Sequence, residues 1–219
     1  MRTTENLFAS SALALALGMT CLAGAASEGP GENLLAFVGQ KISLTQQAPP
    51  RYDNCILMDA YYVAGYRVLE TVFGEYRGGA IRFDVYDHYG APAFSAYDTV
   101  LLFVSRQPDG SWKHEKYLFH PLHKGADGQW YGCGDPYAGT AHPHRTVQAR
   151  PVQFAAPVSF PLDELSPNKI KRLYPAGYFE IRDGRAVCLL GTPVAELFEA
   201  KKQTVLTARG IFKPAEARH

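Results

Sequence analysis

Leu34-Leu35-Ala36-Phe37-Val38-Gly39-Gln40-Lys41-Ile42-Ser43-Leu44 opens as an apolar run and closes with Ile42 and Leu44 in alternation, the signature of a first strand. Gln46 to Asn54 carries Pro49-Pro50 and reads as a loop. Tyr61 to Val72 then supplies a long β-branched and aromatic run, the second strand, in which Gly65 predicts a bulge or a sharp bend. Gly74-Glu75-Tyr76-Arg77-Gly78-Gly79 is turn chemistry. In the following Ala80 to Asp87, Ile81, Phe83 and Val85 face one way and Arg82, Asp84 and Tyr86 the other. Val100 to Val104 is continuously apolar and reads as a central strand, paired across Pro108-Asp109-Gly110 with a strand over Trp112 to Leu118.

Composition agrees with short strands and tight turns: aromatic residues make up 12% of the chain, with 13 Tyr, 15 Pro and 20 Gly. The class is mainly β. The order Phe37-Val38-Gly39, Tyr66-Arg67-Val68-Leu69-Glu70 through Gly74 to Gly78-Gly79, Ile81-Arg82-Phe83 and Leu101-Leu102-Phe103-Val104 resembles the netrin-like OB barrel, the fold of the tissue inhibitors of metalloproteinases. The resemblance spans about residues 33–106 and implies an OB-like five-stranded barrel that binds on its faces and loops. Those inhibitors present an N-terminal cysteine whose amine chelates the target's metal. Export of this chain would instead leave Ala26 or Ser27 first, so that mechanism is not implied.

Beyond the barrel, residues 124–150 are rich in Gly, Pro, His and Asp and read as a long irregular loop. Tyr178 to Ile181 and Ala186 to Leu190 flank Arg182-Asp183-Gly184-Arg185, a hairpin signal. Thr192-Pro193 then starts a short helix with Val194, Leu197 and Phe198 on its buried stripe and Lys201-Lys202 in its last turn. Val205 to Phe212 is expected as a final strand. The organisation is thus a leader over 1–26, the barrel over 27–123, the loop over 124–150 and an extension over 151–213 that packs on the barrel.

The leader is read from the apolar run Leu7 to Leu17 followed by Ala23-Gly24-Ala25, which is too short for a membrane span and ends in small residues that suit cleavage after Ala25 or Ala26. Cys21 offers a lipoprotein alternative, but Gly18 and Thr20 fill positions that prefer a Leu-like and a small residue. A periplasmic or secreted protein is expected, without a transmembrane segment. In that compartment Cys55, Cys133 and Cys188 permit one disulfide, and spacing does not say which. The net charge is +1, with Arg67, Arg77, Arg82, Arg106, Lys113 and Lys116 scattered along the sequence; nucleic acid is not an expected partner.

Two segments hold the candidate binding residues. Asp87, His88 and Tyr89 end the third strand, where Asp87 beside His88 has the elements of an oriented imidazole, although strand neighbours point to opposite faces and Asp with Gly90 is ordinary turn chemistry. Trp130, Tyr131, Asp135 and Tyr137 form an aromatic segment suited to a protein or glycan edge, or to packing beneath a loop closed by a Cys133 disulfide. His120, His123, His142 and His144, with Asp87 or Glu115 as base, compose the metal-assisted hydrolase alternative, but their spacing matches no zinc motif. No Gly-x-Ser-x-Gly, GxGxxG or P-loop occurs. The expectation is a non-catalytic binding module without metal or cofactor, inhibitor-like or immunity-like, that contacts an envelope protein or glycan. A structural envelope protein is the remaining alternative.

Overall fold

A computed structural model describes residues 31–48, 58–138 and 145–213. The leader with Cys21, the segment with Cys55, and both His142 and His144 lie outside the described residues. Strands β1 (Leu34–Gln47), β2 (Ala60–Phe73), β3 (Ala80–Asp87), β4 (Thr99–Arg106) and β5 (Trp112–Pro121) close into a barrel in the order β1-β2-β3-β5-β4. Neighbours are antiparallel except β3 and β5, which run parallel with Asp84 opposite Lys113. The chain is mainly β, with the five-stranded OB-like arrangement.

Val100 to Val104 is apolar at every position because β4 is covered on both sides. Val100, Leu102 and Val104 join Leu35, Phe37, Tyr66 and Phe83 inside the barrel, whereas Leu101 and Phe103 join Leu34, Ala36 and Val38 on its outer wall. Helix α2 (Val194–Lys201) covers that wall with Val194, Leu197 and Phe198, and the Phe198 ring stacks 4.8 Å from Phe73.

Between β5 and α2 come β6 (His123–Lys124), β7 (Trp130–Cys133), β8 (Arg150–Pro151), β9 (Ser159–Pro161), α1 (Pro167–Leu173), β10 (Phe179–Arg182), β11 (Arg185–Cys188) and β12 (Leu190–Pro193), with α2 over Val194–Lys201. They form two small sheets, β6-β7-β12-β8 and β10-β11-β9, which a Cys133–Cys188 disulfide joins. The β10–β11 turn places Asp183 at φ 51° and Gly184 at φ 69°, as a type I′ hairpin requires.

Three local expectations need correction. Residues 124–150 contain the strand β7 and are not irregular throughout. The bulge signalled by Gly65 falls on the partner strand, where the register skips Ile42; a Cβ at Gly65 would lie 2.7 Å from Ser43 Oγ. The final strand expected over Val205 to Phe212 is absent. A π-helical turn, Lys202–Leu206, prolongs α2 instead. The hydroxyl of Thr204 donates to the Ala200 carbonyl at 2.7 Å and that of Thr207 to the Lys202 carbonyl at 2.6 Å, so hydroxyls that favour strands elsewhere bond back along a helix here. Leu206 and Phe212 still reach the barrel wall.

Candidate binding surface

The inward register of β3 continues through Asp87, which is buried, while the next residue turns outward. Asp87 Oδ1 accepts from the Tyr89 amide at 2.9 Å, an Asx turn that projects His88 and Tyr89 into solvent. Tyr89 is 85% exposed. The carboxylate near His88 is not Asp87 but Asp59, with Oδ1 3.6 Å from Nδ1.

Strand β5 meets this corner through an irregular excursion. Leu102 pairs with Phe119 and Val104 with His114, so Phe103 alone on β4 is matched by Glu115 to Leu118 on β5. Tyr117 sits within the excursion at φ 64°, a conformation that costs a residue with a Cβ about 1–2 kcal/mol. Its ring lies 5.8 Å from that of Tyr89 and its hydroxyl accepts from the His88 amide at 3.3 Å. Lys116 Nζ stands 5.2 Å from the Tyr117 ring and 2.6 Å from Asp59 Oδ2; that hydrogen bond raises the lysine's pKa above its ordinary value.

The excursion is braced at its base. His114 is buried, and burial, helped by the charge of Arg209, pushes its pKa down to about 4. The neutral ring places Nε2 3.1 Å from the Leu118 carbonyl, which assigns the proton to that nitrogen. Arg209, beyond α2, donates through Nη1 to Glu115 Oε2 at 2.9 Å and through Nη2 to the Lys116 carbonyl at 2.6 Å, while Ser105 Oγ donates to the other Glu115 oxygen. The C-terminal extension therefore holds the excursion in place.

A cleft of about 490 Å³ opens beside these residues, lined by Asp59, Tyr86, Lys113, Glu115, Lys116 and Arg209 among others. From it the outer face of the sheet continues across β3 and β2. Tyr86 and Tyr61 stack at 5.1 Å, Lys113 Nζ lies 4.9 Å over the Tyr86 ring, and Tyr61 donates its hydroxyl proton to Asp84 at 2.8 Å. Further along, Ser43, Thr45, Gln47, Gly65 and Arg82 line a second cleft of about 200 Å³.

The other predicted segment packs on a different wall. Trp130 is half-buried against the cluster that includes α2, with Lys124 Nζ 4.7 Å from its ring. Tyr131 is buried and donates to Asp127 Oδ2 at 2.6 Å. Tyr137 is 2% exposed; its hydroxyl donates to Gln203 at 3.1 Å and accepts from the Val147 amide at 3.2 Å. Asp135 accepts from the Tyr137 amide at 2.9 Å and pairs with Arg145. These rings take the packing alternative, beside the Cys133 disulfide.

His120 and His123 are likewise placed by packing. Burial, followed by the charge of Lys201, lowers His120 to a pKa of about 4, and its Nδ1 lies 3.0 Å from the Pro121 carbonyl. His123 stands edge-on to Phe154 and Phe160 at 6.1 and 6.0 Å, and burial lowers its pKa too. Among the described residues no three His, Cys, Asp or Glu side chains converge as a ligand set.

Sequence reasoning overlooked Asp59, Tyr61, Tyr117 and Arg209. A signal for the β5 excursion was present: Lys113 to Tyr117 breaks the apolar alternation with consecutive polar residues. Arg209 carried none, because its partners are more than ninety positions away. No family model matches the chain, and neither a curated protein nor a solved structure matches it.

Proposed function

We propose that this chain is an exported, non-catalytic binding module, periplasmic or secreted, that contacts an envelope protein or glycan through the barrel corner formed by Asp59, His88, Tyr89 and Tyr117. The observation that carries this reading is the Tyr89–Tyr117 pair: two exposed rings 5.8 Å apart, one held at φ 64° on a braced excursion. Backbone in that region persists where its surroundings impose it, and such positions concentrate at ligand sites. Tyrosines bring large contact area at low entropic cost, and the adjacent 490 Å³ cleft supplies the polar groups that fix orientation. Among the described residues no helix is long and apolar enough to cross a membrane.

The test is co-sedimentation of the leaderless protein with isolated envelope fractions, followed by mild crosslinking to divide protein from glycan partners. The double variant Tyr89→Ala/Tyr117→Ala should lose at least tenfold in retention, on the scale of removing two aromatic contacts of about 1 kcal/mol each. Retention unchanged in that variant, with its melting temperature intact, would sink the reading.

A further inference from the structure

From the register of the outer sheet face, we infer that the face formed by β2, β3 and β5 binds an acidic glycan along a diagonal of cations, Arg67, Arg82 and Lys113. Arg67 on β2 lies opposite Ala80, Arg82 on β3 lies opposite Gly65, and Lys113 on β5 lies opposite Asp84. Each cation is thus one strand over and two residues along from the last. The three side chains belong to the outward register, since Ile81, Phe83 and Val85 on β3, Tyr66 on β2 and His114 on β5 point inward and are buried. Strand spacing and rise put successive cations roughly 8 Å apart.

All three are exposed. Arg67 reaches the Gln40 carboxamide at 3.5 Å, and Lys113 turns over the Tyr86 ring, not onto a carboxylate. Asp84 is the acid between Arg82 and Lys113 on this face, and it already accepts from the Tyr61 hydroxyl. Asp59 and Glu115 border the cleft beside Lys113, but they pair with Lys116 and Arg209. Three cations among carboxylates that are already engaged favour an anionic chain with repeated charges. The spacing matches a Debye length of about 8 Å at physiological ionic strength, so neighbouring cations act on a ligand together at low salt and independently above it.

The chemistry around Arg82 narrows the class. Its cleft is walled by the hydroxyls of Ser43 and Thr45 and the carboxamide of Gln47, and floored by Gly65, where a Cβ would crowd Ser43. A guanidinium beside donors and acceptors of this kind suits a carboxylate carried on a polyol. Nucleic acid fits less well, because single strands bind by stacking bases on open rings. Tyr61 and Tyr86 stack on one another and Lys113 covers Tyr86.

This inference rests on the binding-module reading and names its ligand; Lys113 borders the cleft that both use, while Tyr89 and Tyr117 belong to the corner alone and Arg67 and Arg82 to the diagonal alone, which lets the two fail separately. The leaderless protein is titrated calorimetrically with tri-galacturonate and with its carboxyl-reduced galactose counterpart, at low and at physiological salt. Tri-galacturonate should bind at least tenfold more tightly than the reduced sugar, and Arg82→Gln/Lys113→Gln should bring the two to parity with an unchanged melting temperature. Equal affinity for both sugars in the parent protein would overturn the inference. So would tighter binding of a dT12 oligonucleotide or a tetraglutamate peptide, which would give the face to nucleic acid or to an acidic protein. Loss of envelope retention in the Tyr89/Tyr117 double variant, with no preference for the acidic sugar, would leave the module and remove this ligand.

Discussion

Tyr117→Gly and Tyr117→Ala differ in one feature, the Cβ, and so isolate the backbone strain at the centre of the proposed surface. Both variants lose the same ring, with its approach to Tyr89, its cation over the face from Lys116 and its hydrogen bond from the His88 amide. In an ordinary strand the glycine variant is the weaker by about 0.5–1 kcal/mol, because glycine has more freedom to lose on folding. At φ 64° the order reverses. A Cβ there crowds the following carbonyl at a cost of about 1–2 kcal/mol, which glycine avoids. The balance leaves Tyr117→Gly more stable than Tyr117→Ala by roughly 1 kcal/mol, a separation of about 2–4 °C in melting temperature for a chain of this size. Urea unfolding of both variants, fitted with a common slope, measures the difference directly. Envelope retention should fall equally in the two. A glycine variant equal to or weaker than the alanine variant would show that Tyr117 is not held left-handed, and the argument from strain would collapse.

Leu197→Ala tests the other wall: this side chain is 1% exposed in the cluster that joins α2 to β1 and β4, and its truncation should cost about 2–5 kcal/mol by denaturant unfolding. His114 gives a pH test. Its folded pKa of about 4 lies below its ordinary 6.5, so as pH falls from 6.5 to 4 the unfolded chain takes up a proton that the native state refuses, and stability drops by about 3 kcal/mol at the lower limit. His120 acts in the same direction. His114→Gln, which keeps an N–H for the Leu118 carbonyl, should flatten that part of the profile; an unchanged slope would deny the burial of the imidazole. Reduction of Cys133–Cys188 releases a loop closed over 55 residues, worth about 4 kcal/mol on chain-entropy grounds, and should lower the melting temperature accordingly.

The barrel strands were legible because each carries its burial in its own residues. Ile81, Phe83 and Val85 alternate and are buried, and Val100 to Val104 lacks alternation because two cores share the strand. The hairpin at Asp183-Gly184 was legible from turn chemistry that admits positive φ. Val205 to Phe212 misled because β-branched and apolar residues in a short run fit strand and helix equally, and tertiary packing onto the barrel decided for the helix. Of the candidate residues, Asp87 to Tyr89 lay at the observed corner because a strand end with Asx chemistry turns outward locally. The rings of Trp130, Tyr131 and Tyr137 misled in the opposite sense. An aromatic residue announces contact area but not whether the contact is internal; here the Tyr131 ring packs inward while its hydroxyl reaches the exposed Asp127, and the Tyr137 hydroxyl is held by Gln203 and the Val147 amide.

Charge was the least legible quantity of all, and the reason lies in how the barrel divides its surface. Helix α2 and its extension cover β4, the first half of β1 and the end of β2, which leaves β3, β5, the rest of β2 and the second half of β1 to carry the uncovered outer wall. Strand pairing then brings Arg67, Arg82 and Lys113, scattered in sequence, onto one diagonal of that wall, while Arg209 returns from the far end of the chain to brace Glu115 and Lys116 beside it. The extension thus does two things at once. It seals the wall that has no polar residues to offer, and it fixes the corner of the wall that has. Arg209→Lys keeps the charge but cannot reach Glu115 and the Lys116 carbonyl together with one planar fork, so it should weaken envelope retention without altering the preference between acidic and reduced sugar. Retention unchanged in Arg209→Lys but lost together with the acidic-sugar preference in Arg209→Gln would mean that Arg209 contributes charge to the ligand and does not act by positioning.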